Sequence, residues 1–221
     1  MKLLMEALVK FVCGLLLVGL LIFLPAGTLS YTCGWLLIGL LFGPMLIAGF
    51  VMLYKSPEFL KRRLDAKEKQ GTQKGVVALS GLMFIAGFVV AGLDFRFGWS
   101  QMPKAVTVGS SMLFLLAYLL YAEVMRENAY LSRTIKVEEG QKVVSTGLYG
   151  IVRHPMYMAT LLLFLVMPLV LGSWWALIPF AFYPAIIISR LKDEEKLLTR
   201  ELAGYDEYKQ KVKYRLIPFI W

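Results

Sequence analysis

The order of apolar and polar positions divides the chain before any single residue is considered. Four apolar runs, Ala7 to Leu24, Gly34 to Tyr54, Val76 to Leu93 and Ala105 to Val124, are each long enough to cross a bilayer, which takes ~20 residues at about 1.5 Å per residue. A fifth run, Met158 to Ser189, is too long for one crossing and is interrupted near Pro168, Gly172 and Ser173. Breakers at that place predict a tight helical hairpin, either two spans or two tilted half-length helices. Beyond it, Leu191, Leu197, Leu198, Leu202, Tyr205, Tyr208 and Val212 form an approximate apolar stripe interrupted at Gly204. Such a stripe suits one or two helices folded back onto the headgroup region. The expected fold class is therefore all-α: a polytopic membrane protein of four transmembrane helices plus a broken helical hairpin, five to six spans in all, with a cytoplasmic C-terminal helical segment.

Composition agrees, and it narrows where chemistry can reside. Of 221 residues, 58% are hydrophobic, and the mean hydropathy is +0.66. With so much of the chain committed to spans, only short loops and two polar segments remain, too little for a separate soluble catalytic domain. The first apolar run resembles a signal peptide, but its length and the membrane character of the rest favour a retained span. Cys13 and Cys33 lie in or beside apolar segments with no spacing that suits a metal, and no metal site or disulfide framework is expected. No GxGxxG follows a strand and no GxxxxGK[ST] occurs, so neither a dinucleotide fold nor a P-loop is supported.

The net charge of +9 would suggest nucleic acid in a soluble protein. Here the basic residues flank apolar runs, and anionic lipid headgroups are the expected partner, with no nucleic acid and no obligatory protein partner. The loops after the first and third spans carry almost no basic residues, whereas 55–74 and 126–153 carry many. The positive-inside rule then puts both termini and both basic segments in the cytoplasm. The segment from Lys55 to Lys74 holds Phe59, Leu60 and Leu64 among seven Lys/Arg. It reads first as a solvated basic loop on anionic lipid, with an interfacial amphipathic helix as the alternative. The chain divides into a scaffold of four spans, 1–133, with a basic cytoplasmic loop at 55–75, and a core, 134–221, with a loop, the hairpin and the amphipathic tail.

Polar chemistry concentrates on either side of the hairpin. Before it, Gly147, Tyr149, Arg153, His154, Pro155, Met156 and Tyr157 fall within one short stretch that includes the only histidine of the chain. Pro155 biases His154 away from the α region, so the first hairpin helix should begin at Pro155 with Arg153 and His154 at its N-terminal mouth, where free N–H groups favour an anion. After the hairpin, Arg190 and Glu194 are four apart and share a helix face, beside Asp193 and Glu195. These charges are costly in hydrocarbon, so this helix must emerge at or beyond the interface. A hairpin enters and leaves on one side, and the two polar motifs therefore face the same compartment.

Gly147-x-Tyr149-x-x-x-Arg153-His154-Pro155-x-Tyr157, the hairpin, Arg190-x-x-x-Glu194-Glu195 and Tyr205-x-x-Tyr208-x-x-x-Val212 occur here in one order. This set resembles the isoprenylcysteine carboxyl methyltransferase family and its relatives, the phospholipid N-methyltransferases, over roughly Thr134 to Trp221. The resemblance implies S-adenosyl-L-methionine as cofactor, held by Gln141, Val144, Gly147, Tyr149, His154, Pro155, Met156, Tyr157 and Glu194. It implies a lipid-like acceptor at Arg190 and Glu195, with Arg190 and Arg153 as the catalytic cations. An arginine can hold a carboxylate in a bidentate grip, and tyrosines can flank a sulfonium. Gln141 stands where eukaryotic relatives often carry a histidine, so the chain looks like a prokaryotic-type member of a bacterial inner membrane, and a prenylcysteine need not be its acceptor. Two other enzyme readings stay open: an amine N-methyltransferase, and an NADPH-dependent sterol or enone reductase, which shares Arg-His-Pro-x-Tyr and the tail motif Tyr214-Arg215-Leu216-Ile217-Pro218. A non-enzymatic membrane scaffold is the remaining alternative.

Overall fold

In the computed structural model, residues 1–65, 71–132 and 134–221 are described, and they form helices and turns with no strand. Four long helices match the four apolar runs and extend each by a turn or so: α1 (Lys2–Ala26), α2 (Thr32–Lys55), α4 (Gly71–Phe97) and α5 (Lys104–Glu127). All four are long and apolar enough to cross a bilayer. Most of their large apolar side chains that face outward, such as Leu16, Ile47, Leu82 and Leu119, are suited to lipid rather than water. The chain is an integral membrane protein.

The fifth apolar run folds as the expected hairpin. Pro155 opens α6 (Pro155–Val170), where a proline's missing N–H costs nothing. The helix ends beside Gly172, whose φ of +73° turns the chain in a conformation that glycine adopts without strain. A short α7 (Leu177–Phe180) then leads into α8 (Tyr183–Glu201). At 16 residues, α6 spans only about 24 Å. It lies antiparallel along α5, and the side chains of α6, α7 and α8 share one core with α1, α2, α4 and α5, centred on Phe114, Met167 and Phe180. Glycines let these helices close: a Cβ at Gly92 would sit 2.5 Å from the Ile22 carbonyl oxygen, so α1 and α4 approach backbone to backbone there.

Two expectations change. Of the basic 55–74 segment, Pro57–Leu64 is a helix, α3, with Phe59 and Leu60 buried at 7% and 4% exposure. It is an amphipathic helix rather than a solvated loop, because two large apolar side chains gain more by burial than the charges lose by being drawn to the surface. Residues 66–70 of that segment lie outside the described ones. The apolar stripe after the hairpin also has a different partner from the headgroup region. Gly204, at φ +82°, separates α8 from α9 (Tyr205–Lys211), and Leu202, Tyr205, Tyr208 and Val212 pack with Val137 and Val143 into a second, small core. That core seats the loop before α6 on the helices after it.

Candidate active site

A cavity lies at the end of the bundle where α5 finishes and α6 begins. Its enclosed volume is small, about 90 Å³, and it opens to solvent through a wide mouth. Its walls come from the loop after α5, the start of α6, the polar half of α8, and α9. Of the residues singled out in the sequence, Gln141, Val144, Tyr149, Arg153, His154, Met156, Tyr157, Arg190 and Glu194 line it. Gly147, Pro155 and Glu195 do not.

The chain's local chemistry explains the mouth. His154 is the N-cap of α6 with its backbone outside the α region, and Pro155 fills the first helical position. The Arg153 and His154 N–H groups donate to the Tyr214 and Arg215 carbonyls, both at 2.9 Å. The tail thus pins the backbone on which both side chains are mounted. The His154 ring lies nearly parallel to that of Tyr157, 5.7 Å between centroids.

Glu195 sits behind this wall as a charge hub. One carboxylate oxygen pairs with Arg153 Nε at 2.8 Å and approaches His154 Nε2 at 3.4 Å, and the other accepts from Arg215 Nε at 2.9 Å. Burial alone pushes the Glu195 carboxyl up, but His154, Arg153 and Arg215 together outweigh it and hold the group below the ordinary carboxylate value. Arg153 also donates to the Val212 carbonyl at 3.4 Å. Both residues therefore brace His154 and the tail.

Facing the cavity, Tyr157 donates its hydroxyl to Glu194, and Arg190 Nε donates to the same oxygen at 3.2 Å. Arg190 Nη1 also donates to Gln73 Oε1 at 3.3 Å, and the Gln73 amide donates to Asp193 at 2.8 Å. Gln73 is fully buried on α4 and ties the scaffold to the charged half of α8. On the other wall, Asn128 donates to the Tyr149 hydroxyl at 2.9 Å and Tyr208 donates to the Tyr149 carbonyl at 2.7 Å. Burial pushes the phenols of Tyr149, Tyr205 and Tyr208 up, so all three stay neutral and can donate near pH 7. The buried Tyr205 hydroxyl, on the cavity wall, has no hydrogen-bond partner among the described residues.

Sequence reasoning missed Gln73 and Asn128, and it marked Asp193 only as a charge that must lie outside the hydrocarbon. Their spacing carries no signal, since each acts through a partner far along the chain or on another helix. Tyr205 was marked as part of the apolar stripe and of the motif set, without a role in the site.

The family model described as "Isoprenylcysteine carboxyl methyltransferase (ICMT) family" matches residues 109–200. The matched segment runs from α5 through the loop and hairpin to the end of α8, and so contains the whole set from Tyr149 to Glu194. The match covers less than half of the chain and marks a similarity to that family. Its members are methyltransferases that use S-adenosylmethionine as methyl donor. The chain is also similar to Delta(14)-sterol reductase TM7SF2 of Mus musculus, with 31% identity over 91 residues. That stretch is 40% of this chain and 22% of the reductase, so the chain spans only a small part of the length of that relative.

Proposed function

We propose that this chain is a member of the isoprenylcysteine carboxyl methyltransferase family and transfers a methyl group from S-adenosyl-L-methionine to a lipid-like acceptor in the membrane, a carboxylate in the first instance. The reading is carried by one observation: the family-matched residues His154, Tyr157, Arg190 and Glu194 converge on a single cavity. The residues there suit the cofactor. Glu194 offers a carboxylate to an ammonium or to ribose hydroxyls, Tyr149 and Tyr157 offer aromatic faces to a sulfonium, and the Tyr205 hydroxyl is a buried donor with no partner among the described residues. Bound there, the cofactor supplies an activated methyl group.

The chain's own contribution is positioning. Arg190, steadied by Gln73 and Tyr157, is aimed to hold an anionic acceptor group, and a carboxylate needs no base to become nucleophilic. Orientation and fixed charge then account for most of the rate gain. Orientation by the positive-inside rule puts the cavity at the cytoplasmic face, where a water-soluble cofactor can reach it and a lipid tail can approach from the bilayer.

The decisive experiment offers labelled S-adenosylmethionine to the protein in nanodiscs with prenylcysteine, fatty-acid and phospholipid acceptors. Label in a base-labile methyl ester supports the carboxylate reading, and label on a phospholipid amine shifts it to N-methylation. The 31% identity with a sterol reductase supports a second reading, NADPH-dependent reduction of a membrane enone or sterol. Calorimetry separates them: affinity for S-adenosylhomocysteine supports methyl transfer, and affinity for NADPH alone overturns it.

A further inference from the structure

Glu127 is the last residue of α5, and its two carboxylate oxygens face the Leu148 N–H at 3.0 and 3.3 Å. Leu148 belongs to a 3-10 turn, Gly147–Gly150, whose first N–H groups have no acceptor of their own. Thr146, at the cap position, makes no side-chain capping hydrogen bond. The carboxylate from another helix therefore takes the place of a cap, with its negative charge at the positive end of the turn.

Gly147 makes this contact possible. A Cβ there would lie 1.5 Å from Glu127 Oε1, and the backbone is already at φ +51°, so any side chain would expel the carboxylate. The neighbouring Asn128 holds the Tyr149 hydroxyl at 2.9 Å. Two consecutive residues at the end of α5 thus grip the turn at its start and the tyrosine at its tip.

Tyr149 lines the cavity, whereas Glu127 and Gly147 do not. We infer that Glu127 is a positioning residue: by capping the turn across Gly147 it fixes the Tyr149 wall of the cofactor end of the cavity. This rests on the methyl-transfer reading. Gly147 belongs to the site through the room it leaves for Glu127 and not through contact with the cofactor.

The test uses the full-length protein in nanodiscs. In Glu127→Ala, hydrogen exchange at the Leu148 amide accelerates, and the cofactor KM and the Kd for S-adenosylhomocysteine rise about tenfold, as expected for loss of a charged hydrogen bond. The fall in kcat is smaller and the acceptor KM moves less than about twofold. Glu127→Gln, whose amide oxygen still accepts, recovers most of the affinity. If Glu127→Ala fails to fold, Glu127→Asp, one methylene too short to reach, gives the same split. Unchanged exchange and affinity overturn the inference, as does a parallel loss of cofactor and acceptor affinity with a lowered melting temperature. Faster exchange in a protein whose wild type binds no S-adenosylhomocysteine keeps the cap and overturns the methyl-transfer reading.

Discussion

Arg190 on α8 donates to the hydroxyl of Tyr157 on α6 at 3.2 Å, and that same hydroxyl donates to Glu194. One phenol thus stands between a cation and an anion that lie one helical turn apart. Tyr157→Phe keeps the ring and removes this mediator. We expect kcat/KM for methyl transfer to fall about tenfold, equivalent to one hydrogen bond of ordinary strength to a charged group. Initial rates with labelled S-adenosylmethionine measure it, and a wild-type value would show that the hydroxyl has no part in the reaction.

Gln73 reaches Arg190 and Asp193 from α4. Gln73→Leu fills the same space without either hydrogen bond and leaves Arg190 less constrained. The acceptor KM should rise about fivefold to tenfold while S-adenosylhomocysteine affinity holds, since Gln73 does not line the cavity. Equal losses for cofactor and acceptor would contradict this assignment.

Replacing Glu195 with alanine leaves Arg153, whose side chain is 8% exposed, without its anion. Breaking a buried pair in this way costs about 3 kcal/mol or more, and the thermal midpoint in detergent should fall accordingly. The pH dependence has a definite sign. The folded Glu195 carboxyl titrates below its ordinary value, so its contribution to stability is full above about pH 4.3. It is lost as pH falls through the lower folded value. The acid limb of a stability curve should therefore flatten in Glu195→Gln, and an acid limb identical to wild type would count against the hub.

At the opposite end of the bundle, Asp94 on α4 accepts from the Ser100 N–H and hydroxyl, both at 2.6 Å, and from the Ser173 hydroxyl at the hairpin tip. It is 2% exposed and staples two loops that sequence separates widely. Asp94→Ala should destabilise the protein by about 2 kcal/mol, the cost of stranding buried donors, with no change in S-adenosylhomocysteine affinity. Calorimetry beside a thermal melt checks both halves of that expectation.

Hydropathy made the four long helices and the broken hairpin legible, because in lipid every span must satisfy its own backbone and so shows as an unbroken apolar run. Pro155 marked the start of α6 for an equally local reason. The helix α3 was harder to read, since its eight residues give one apolar pair, Phe59 and Leu60, among charges. Periodicity exposed the stripe from Leu202 to Val212 but could not say what covers it, and Val137 and Val143 do so in place of lipid. Gln73 left no trace, as its partners lie 117 and 120 positions away. Gly147 was legible as a motif position, but its reason, the Glu127 carboxylate, belongs to three dimensions.

The hydrogen bonds from the Arg153 and His154 N–H groups to the Tyr214 and Arg215 carbonyls also bear on the order in which the protein is made. A ribosome delivers the mouth of α6 first, then the whole hairpin, α8 and α9, and only then the backbone that holds the mouth. A nascent chain inserted through its hairpin therefore carries an unfinished pocket. Cofactor binding should be the last property it acquires, after membrane insertion is complete.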